Sequence, residues 1–304
     1  MHQGFIMIFF NMSWVKAIAY GSTFLFIFRI WLNITMQIAP HPLLSGIVKH
    51  YLIIAHDQRV PMNYRLFSDG NPGIVFHFKA PLLQYNQQHT VTSKQPGSFV
   101  YGQITRYNDI ISAGELAMLI VVLQPNALLS LLGVAANELN DNTVSLKDLF
   151  GRDALDLEDR IANTINLPAA AAIAEQFLLN KMASKRKRAD ITDRAINIIH
   201  ANKGIINVKN LLDVIPVTER QLERKFEEEV GISPKKYIDA VKFQTYLKQL
   251  QKLSSIKELS SLSYACGYYD QAHLNNFFRR HTGVTPLQYK ANHNLLAINF
   301  MPLI

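Results

Sequence analysis

The side chains whose spacing points to a chemistry lie in the last third of the sequence, and that chemistry is recognition of nucleic acid. Arg220 and Arg224 stand four residues apart with Gln221 between them, around Leu222 and Phe226, which take the inward helical positions. An arginine fork bonds bidentately to guanine O6 and N7, so Arg220, Gln221 and Arg224 are candidates for base readout. A phosphate contact or a surface ion pair is the other reading of either arginine. Gln271, His273 and Asn276 repeat the arrangement around Leu274 and Phe278 and are the second set of base-readout candidates. His273 has a local alternative, a hydrogen bond to Asp270. Arg279 and Arg280 are assigned to phosphate, as are Lys290 and the run Lys185-Arg186-Lys187-Arg188. Phosphate contacts add salt-dependent affinity without sequence information. The run also reads as a solvated linker, and the two readings coexist. Glu223 either accepts from cytosine N4 or faces solvent, and Glu227, Glu228 and Glu229 are expected to point away from phosphate.

Catalytic chemistry finds no comparable support. His56, His77 and His89 are not at a metal-ligand spacing, and His77 lies in an apolar run, Ile74–Phe78. There is no nucleophile elbow, phosphate loop or dinucleotide fingerprint. A single cysteine, Cys266, excludes an internal disulfide and any multi-cysteine metal site, and reads as a small buried residue. No catalytic residue, metal or cofactor is assigned.

The elements that must position the readers come in an internal repeat. Leu222, Phe226, Gly231, Pro234 and Tyr237 recur 52 residues later as Leu274, Phe278, Gly283, Pro286 and Tyr289, whereas upstream the offset is 51 (Leu211 with Leu262, Val217 with Tyr268). The second turn therefore holds one extra residue. Each unit reads as a short helix, a turn and a second helix, predicted over Thr218–Val230 and Asp270–Thr282. Thr218 and Asp270 are N-caps, and Gly231 and Gly283 suit the left-handed position that stops a helix. Ser233-Pro234 and Thr285-Pro286 each cap the next helix in the chain. Between the units, Tyr237, Ile238, Val241, Tyr246, Leu247 and Leu250 predict a long helix over Lys235–Leu253 with one buried stripe. Two readers on one face of B-DNA sit about one turn apart, ~34 Å, and a rigid helix would fix their separation.

Charge shows the same division. The 304 residues carry 31 Lys+Arg and 23 Asp+Glu, a net +8, but residues 1–180 hold 11 basic and 12 acidic side chains and residues 181–304 hold 20 and 11. A basic module facing a polyanion is thus joined to a near-neutral domain. Within residues 36–182, strands are predicted over Tyr51–Ala55, Gly73–Phe78, Ser98–Ile104 and Leu116–Leu123, with a turn at Asp69–Gly73. Helices are predicted over Asn126–Leu132 (with Pro125 in its first turn), Ala154–Ile165 and Ala169–Met182. The expected fold is an α+β N-terminal domain followed by an all-α C-terminal domain of two helix-turn-helix units joined by a long helix. Residues 1–35 are apolar apart from Lys16 and Arg29. Three readings stay open for them: an extension upstream of a true start at Met36, a membrane anchor, or an amphipathic or packed segment.

Residues 191–291 resemble the AraC/XylS-type DNA-binding domain, through the stretch Ala265–Tyr289 (ACGYYDQAHLNNFFRRHTGVTPLQY). Residues ~40–182 also resemble an uncharacterised N-terminal domain of a subset of these regulators. The resemblance implies a bacterial, cytoplasmic transcription factor with an N-terminal sensing or oligomerisation domain. Residues 183–190 would be its basic linker and 292–304 its tail. Double-stranded DNA is the implied partner. RNA polymerase, a small-molecule effector and a second copy joined through the N-terminal domain are partners left open. A small-molecule-binding protein or enzyme with an incidental basic tail, and a membrane-tethered regulator, are the competing readings. Three departures bear on the DNA module. Asn276 stands where the family commonly has arginine, Leu212 where a small residue is expected, and Pro216 where glycine is usual. A proline φ of about −65° cannot supply a positive φ, so the first unit is expected to sit differently or to contribute less to specificity.

Overall fold

The computed structural model describes residues 7–8, 34–56, 60–85, 91–164, 166–182, 190–255 and 258–303. In chain order its strands are β1 (Met7–Ile8), β2 (Ile34–Ile38), β3 (Val48–His56), β4 (Met62–Leu66), β5 (Gly73–His77), β6 (Leu83–Tyr85), β7 (Val91–Lys94), β8 (Ser98–Tyr101), β9 (Asn108–Ser112), β10 (Leu116–Leu123), β11 (Thr143–Ser145) and β12 (Phe300–Pro302). Helices α1 (Ala127–Leu132), α2 (Leu146–Phe150), α3 (Arg152–Ala162) and α4 (Leu167–Met182) complete the N-terminal domain. Among the described residues, one sheet runs β1-β2-β3-β10-β5-β8-β11 and a second runs β12-β4-β9-β6-β7.

The larger sheet is apolar on both faces because both are covered. On β3, Tyr51 and Ile53 pack with α1, α3 and α4, while Leu52 and Ile54 face the second sheet. On β10, Leu119 and Val121 take the helical side, and Met118 and Val122 the other. All four predicted strands fall in this sheet, although β8 ends at Tyr101, short of the predicted Ile104. The second sheet was not foreseen, since four of its strands are short and largely polar (MNYRL, LQY, VTSK and NDIIS). Three helix details differ as well. Asn126 is the N-cap of α1, which puts Pro125 ahead of the cap and outside the first turn, while α2 was not anticipated. Helix α3 ends at Ala162, three residues before the predicted Ile165.

The C-terminal domain contains α5 (Ile191–Ala201), α6 (Val208–Leu212), α7 (Glu219–Glu229), α8 (Pro234–Lys252), α9 (Leu259–Ala265), α10 (Gln271–Thr282) and α11 (Pro286–Ala291). The units are α6–α7 and α9–α10. Helix α8 serves both cores: Tyr237, Ile238 and Val241 pack into the first, and Phe243, Tyr246, Leu247 and Leu250 into the second. It is buried beyond the single expected stripe. Gln244 donates to Ser68 O at 2.8 Å, and the Tyr237 ring lies against Gly70, so the β4–β5 loop covers a further side. At 19 residues α8 spans about 28 Å.

The tail departs from an all-α domain. Residues 292–303 turn back, and β12 pairs antiparallel with β4 at the edge of the second N-terminal sheet, Met301 opposite Arg65. At the other end, β2 begins at Ile34 and pairs with β3, so a strand crosses the boundary drawn at residue 36, with Met36 opposite Ile53. The readings of residues 1–35 otherwise fall outside the described residues. Among the described residues no helix is long and apolar enough to cross a membrane.

Candidate nucleic-acid interface

Helix α7 starts at a reciprocal cap. Thr218 Oγ1 accepts from Gln221 N at 3.3 Å, and Gln221 Oε1 accepts from Thr218 N at 3.0 Å. Leu222 and Phe226 are fully buried, and the opposite face leaves Arg220 and Arg224 exposed and outside any ion pair among the described residues. Gln221 is also exposed, but its carbonyl oxygen is committed to the cap, leaving its amide N–H groups for a base. Lys225 turns inward to Asp190 and to Glu229, 3.3 Å away, so Glu229 is spent inside the unit while Glu227 and Glu228 face solvent. Burial pushes the Glu229 carboxyl above the usual range.

The two units turn differently. Gly267 has φ +75° in the second turn, whereas no residue of 213–217 has a positive φ in the first. There, Ile215 N donates to Leu211 O at 2.9 Å and Val217 N to Ile215 O at 2.8 Å. This is a turn that Pro216 can occupy. Leu212 is half-buried against the first core.

Helix α10 is capped by Asp270, whose Oδ1 accepts from the His273 backbone N–H at 2.6 Å. The local bond foreseen for His273 is therefore made by its backbone, and its imidazole is exposed beside Tyr268. Gln271 accepts from Ser260 Oγ at 3.1 Å, tying α10 to α9. Asn276, Arg279 and Arg280 are exposed, with both arginines in the last turn, where the helix dipole favours cations. Lys290 does not stay with the phosphate set. Its ammonium donates to Leu250 O at 3.2 Å and Leu253 O at 2.5 Å, satisfying carbonyls at the end of α8. Lys185, Arg186, Lys187 and Arg188 lie outside the described residues. Tyr269, immediately ahead of the α10 cap, is 86% exposed and was not singled out. An aromatic residue in that position was the signal available. Cys266 is buried and free, as expected.

A cavity of about 640 Å³ lies between the two N-terminal sheets. Val75, Phe99, Ile110 and Met118, with Leu296 and Phe300 of the tail, form an apolar wall, while α5 and α8 line another end. Lys49, His50, His200 and Lys248 gather at that end. Burial holds His50 down at about 4, with further lowering from Lys49 and then Lys248. The two lysines are 199 positions apart in sequence, and no local pattern connects them. Of the N-terminal histidines, His77 is half-buried with Nε2 3.2 Å from Gln95 Oε1, and burial takes it to about 4. His56 is half-buried, and His89 lies outside the described residues.

Comparison with known proteins finds two matching families. Residues 36–145 match a family described as a domain of unknown function (DUF6597), and residues 211–292 match a helix-turn-helix domain family. The xylose operon regulatory protein of Escherichia coli K12 is 31% identical over 91 residues, covering 30% of this chain and 22% of that protein. The chain thus spans about a fifth of the length of the curated relatives it matches. Among solved structures, unsaturated fatty acid bound wild-type ToxT from Vibrio cholerae superposes with a TM-score of 0.48 at 11% identity, over 79% of this chain and 94% of that one. The AraC-like transcriptional activator CuxR gives 0.29 at 16% identity, over 70% and 80%. With repeated helix-turn-helix units that match a helix-turn-helix domain family, and a DUF6597 domain ahead of them, the chain resembles the AraC/XylS-type transcriptional regulators.

Proposed function

We propose that the protein is a sequence-specific DNA-binding transcriptional regulator that inserts α7 and α10 into successive major grooves of double-stranded DNA. The observation that carries this reading is the pair of repeat-related helices, each with its apolar face buried and a polar face left to solvent that bears two arginines, Arg220 and Arg224 on α7 and Arg279 and Arg280 on α10. Arg220, Arg224, the Gln221 amide, Gln271, His273 and Asn276 are the base readers. Arg279 and Arg280 hold phosphate, and the basic run 185–188 adds to the backbone contacts. Selecting bound sequences from a random duplex pool with the full chain tests it. Two half-sites about one helical turn apart are expected. Absence of any motif at both low and moderate salt would sink the proposal.

The cavity between the sheets is the effector site in this reading. Its apolar wall and its lysine-bearing end suit a small molecule with an anionic head and an apolar body. Such a ligand is expected to raise the melting temperature of the wild type. Removing both Lys49 and Lys248 as methionines should abolish that rise. RNA polymerase, and a second copy joined through the N-terminal domain, are the macromolecular partners of the same reading. Sedimentation with and without operator DNA measures the second.

A further inference from the structure

The repeat places Gly231 and Gly283 at matching positions, each just past the end of a reading helix. Both have positive φ, +93° and +71°, which alone accounts for glycine. The space around them gives a second reason. A Cβ on Gly231 would lie 2.6 Å from Asn140 Oδ1 and 3.1 Å from Ala136 O, and one on Gly283 would overlap the Arg65 guanidinium. All three of those neighbours belong to the N-terminal domain.

Two of these neighbours also make a hydrogen bond to the end of a reading helix. Asn140 Nδ2 donates to Gly231 O, and Arg65 Nη1 donates to Thr282 O at 3.2 Å. Arg65 is held for this purpose: Nε and Nη2 each lie 2.6 Å from one Asp109 oxygen, and the guanidinium sits 4.2 Å above the Tyr107 ring. With its side chain 13% exposed and that of Asp109 8%, this is a rigid bidentate pair. Asn140 succeeds the short helical turn Ala136–Leu139, which packs on α7.

We infer that the N-terminal domain sets the distance between the two reading helices by gripping the end of each, with Asn140 and Arg65 as positioning residues. This rests on the proposal that α7 and α10 read DNA. Helix α8 joins the two units, and the two grips add a second, parallel connection through the sheets. The residues next in sequence, Asp141 and Leu66, line the cavity, so both grips adjoin it.

The test uses the full chain on three duplexes: both selected half-sites at their native spacing, both with two base pairs inserted, and one half-site alone. The wild type is expected to lose about tenfold in affinity on the insertion, because its readers cannot follow the groove. Asn140→Asp removes the donor at nearly constant shape, and Arg65→Gln removes the fork. Both should lose less than about threefold on the insertion, with single-site affinity unchanged. Cooperative thermal unfolding of each variant is checked alongside, with Arg65→Lys in reserve should Arg65→Gln not fold. A wild-type spacing penalty in folded Asn140→Asp and in the folded Arg65 variant overturns the inference. Failure of the wild type to bind any of the duplexes overturns the DNA-reading proposal, and the inference with it.

Discussion

At the scale of single residues, the reading face separates side chains that are free from those already engaged. Arg224 has no ionic partner among the described residues and sits on the exposed face of α7. Arg224→Ala is expected to cost about 1–3 kcal/mol at a specific site if the guanidinium reads a base, measured as the difference between cognate and mismatched duplexes. An equal loss on every sequence would assign it to phosphate. Thr218→Ala removes the hydroxyl that accepts from Gln221 N, at about 1 kcal/mol of stability in a denaturant titration, while the backbone N–H of residue 218 still holds the Gln221 carbonyl. The reading face was legible because leucine and phenylalanine at helical spacing fix what turns inward, and exposed polar residues are what remains. Lys290 was misplaced because a carbonyl partner about forty positions away leaves no trace in local pattern. Lys49, Lys248, Arg65 and Asn140 went unnoticed for the same reason, since each acquires its role through a distant segment.

At the scale of elements, the same distinction separates the strands that were foreseen from those that were not. The strands β3, β5, β8 and β10 are apolar on both faces because two layers cover them, so their composition announces them. In the second sheet, β4 and β9 bury little more than Tyr64 and Ile110 and carry Arg65 and Asp109, so neither run stands out from a loop. Strand β12 is three residues long and comes after a helical domain, a place where alternation is too brief to detect. Phe300 shows that it is nonetheless structural. The side chain is buried, packs edge-on to Tyr64 at 5.2 Å and lies in the core between the sheets. Phe300→Ala is expected to cost about 3–5 kcal/mol, read from the shift in urea midpoint. A loss under about 1 kcal/mol would show that the tail rests on the sheet without holding it.

At the scale of the whole molecule, both DNA affinity and stability depend on solution conditions. Binding through arginine and lysine contacts makes affinity fall linearly on a log–log plot against salt, and Arg279→Ala should reduce that slope by about one. Stability should depend on acid. Burial lowers His50 and His77 to about 4, so as the pH falls below their ordinary value the unfolded chain takes up protons that the fold refuses, and stability drops through that window. Asp69, whose carboxyl burial pushes up, acts in the opposite sense. The comparison is therefore between the wild type and a His50→Gln, His77→Gln double variant, whose urea midpoint should vary less between pH 7 and pH 4.5. The tail strand has a further consequence, for how the protein is made. The β4 edge receives its neighbour from residues 300–302, more than 230 positions later, after both reading units have left the ribosome. Such long-range pairing is slow, and an open strand edge is adhesive while it waits. During synthesis the N-terminal domain should therefore be the last part to reach its native form, and its yield should be the quantity most sensitive to changes at residues 296–303.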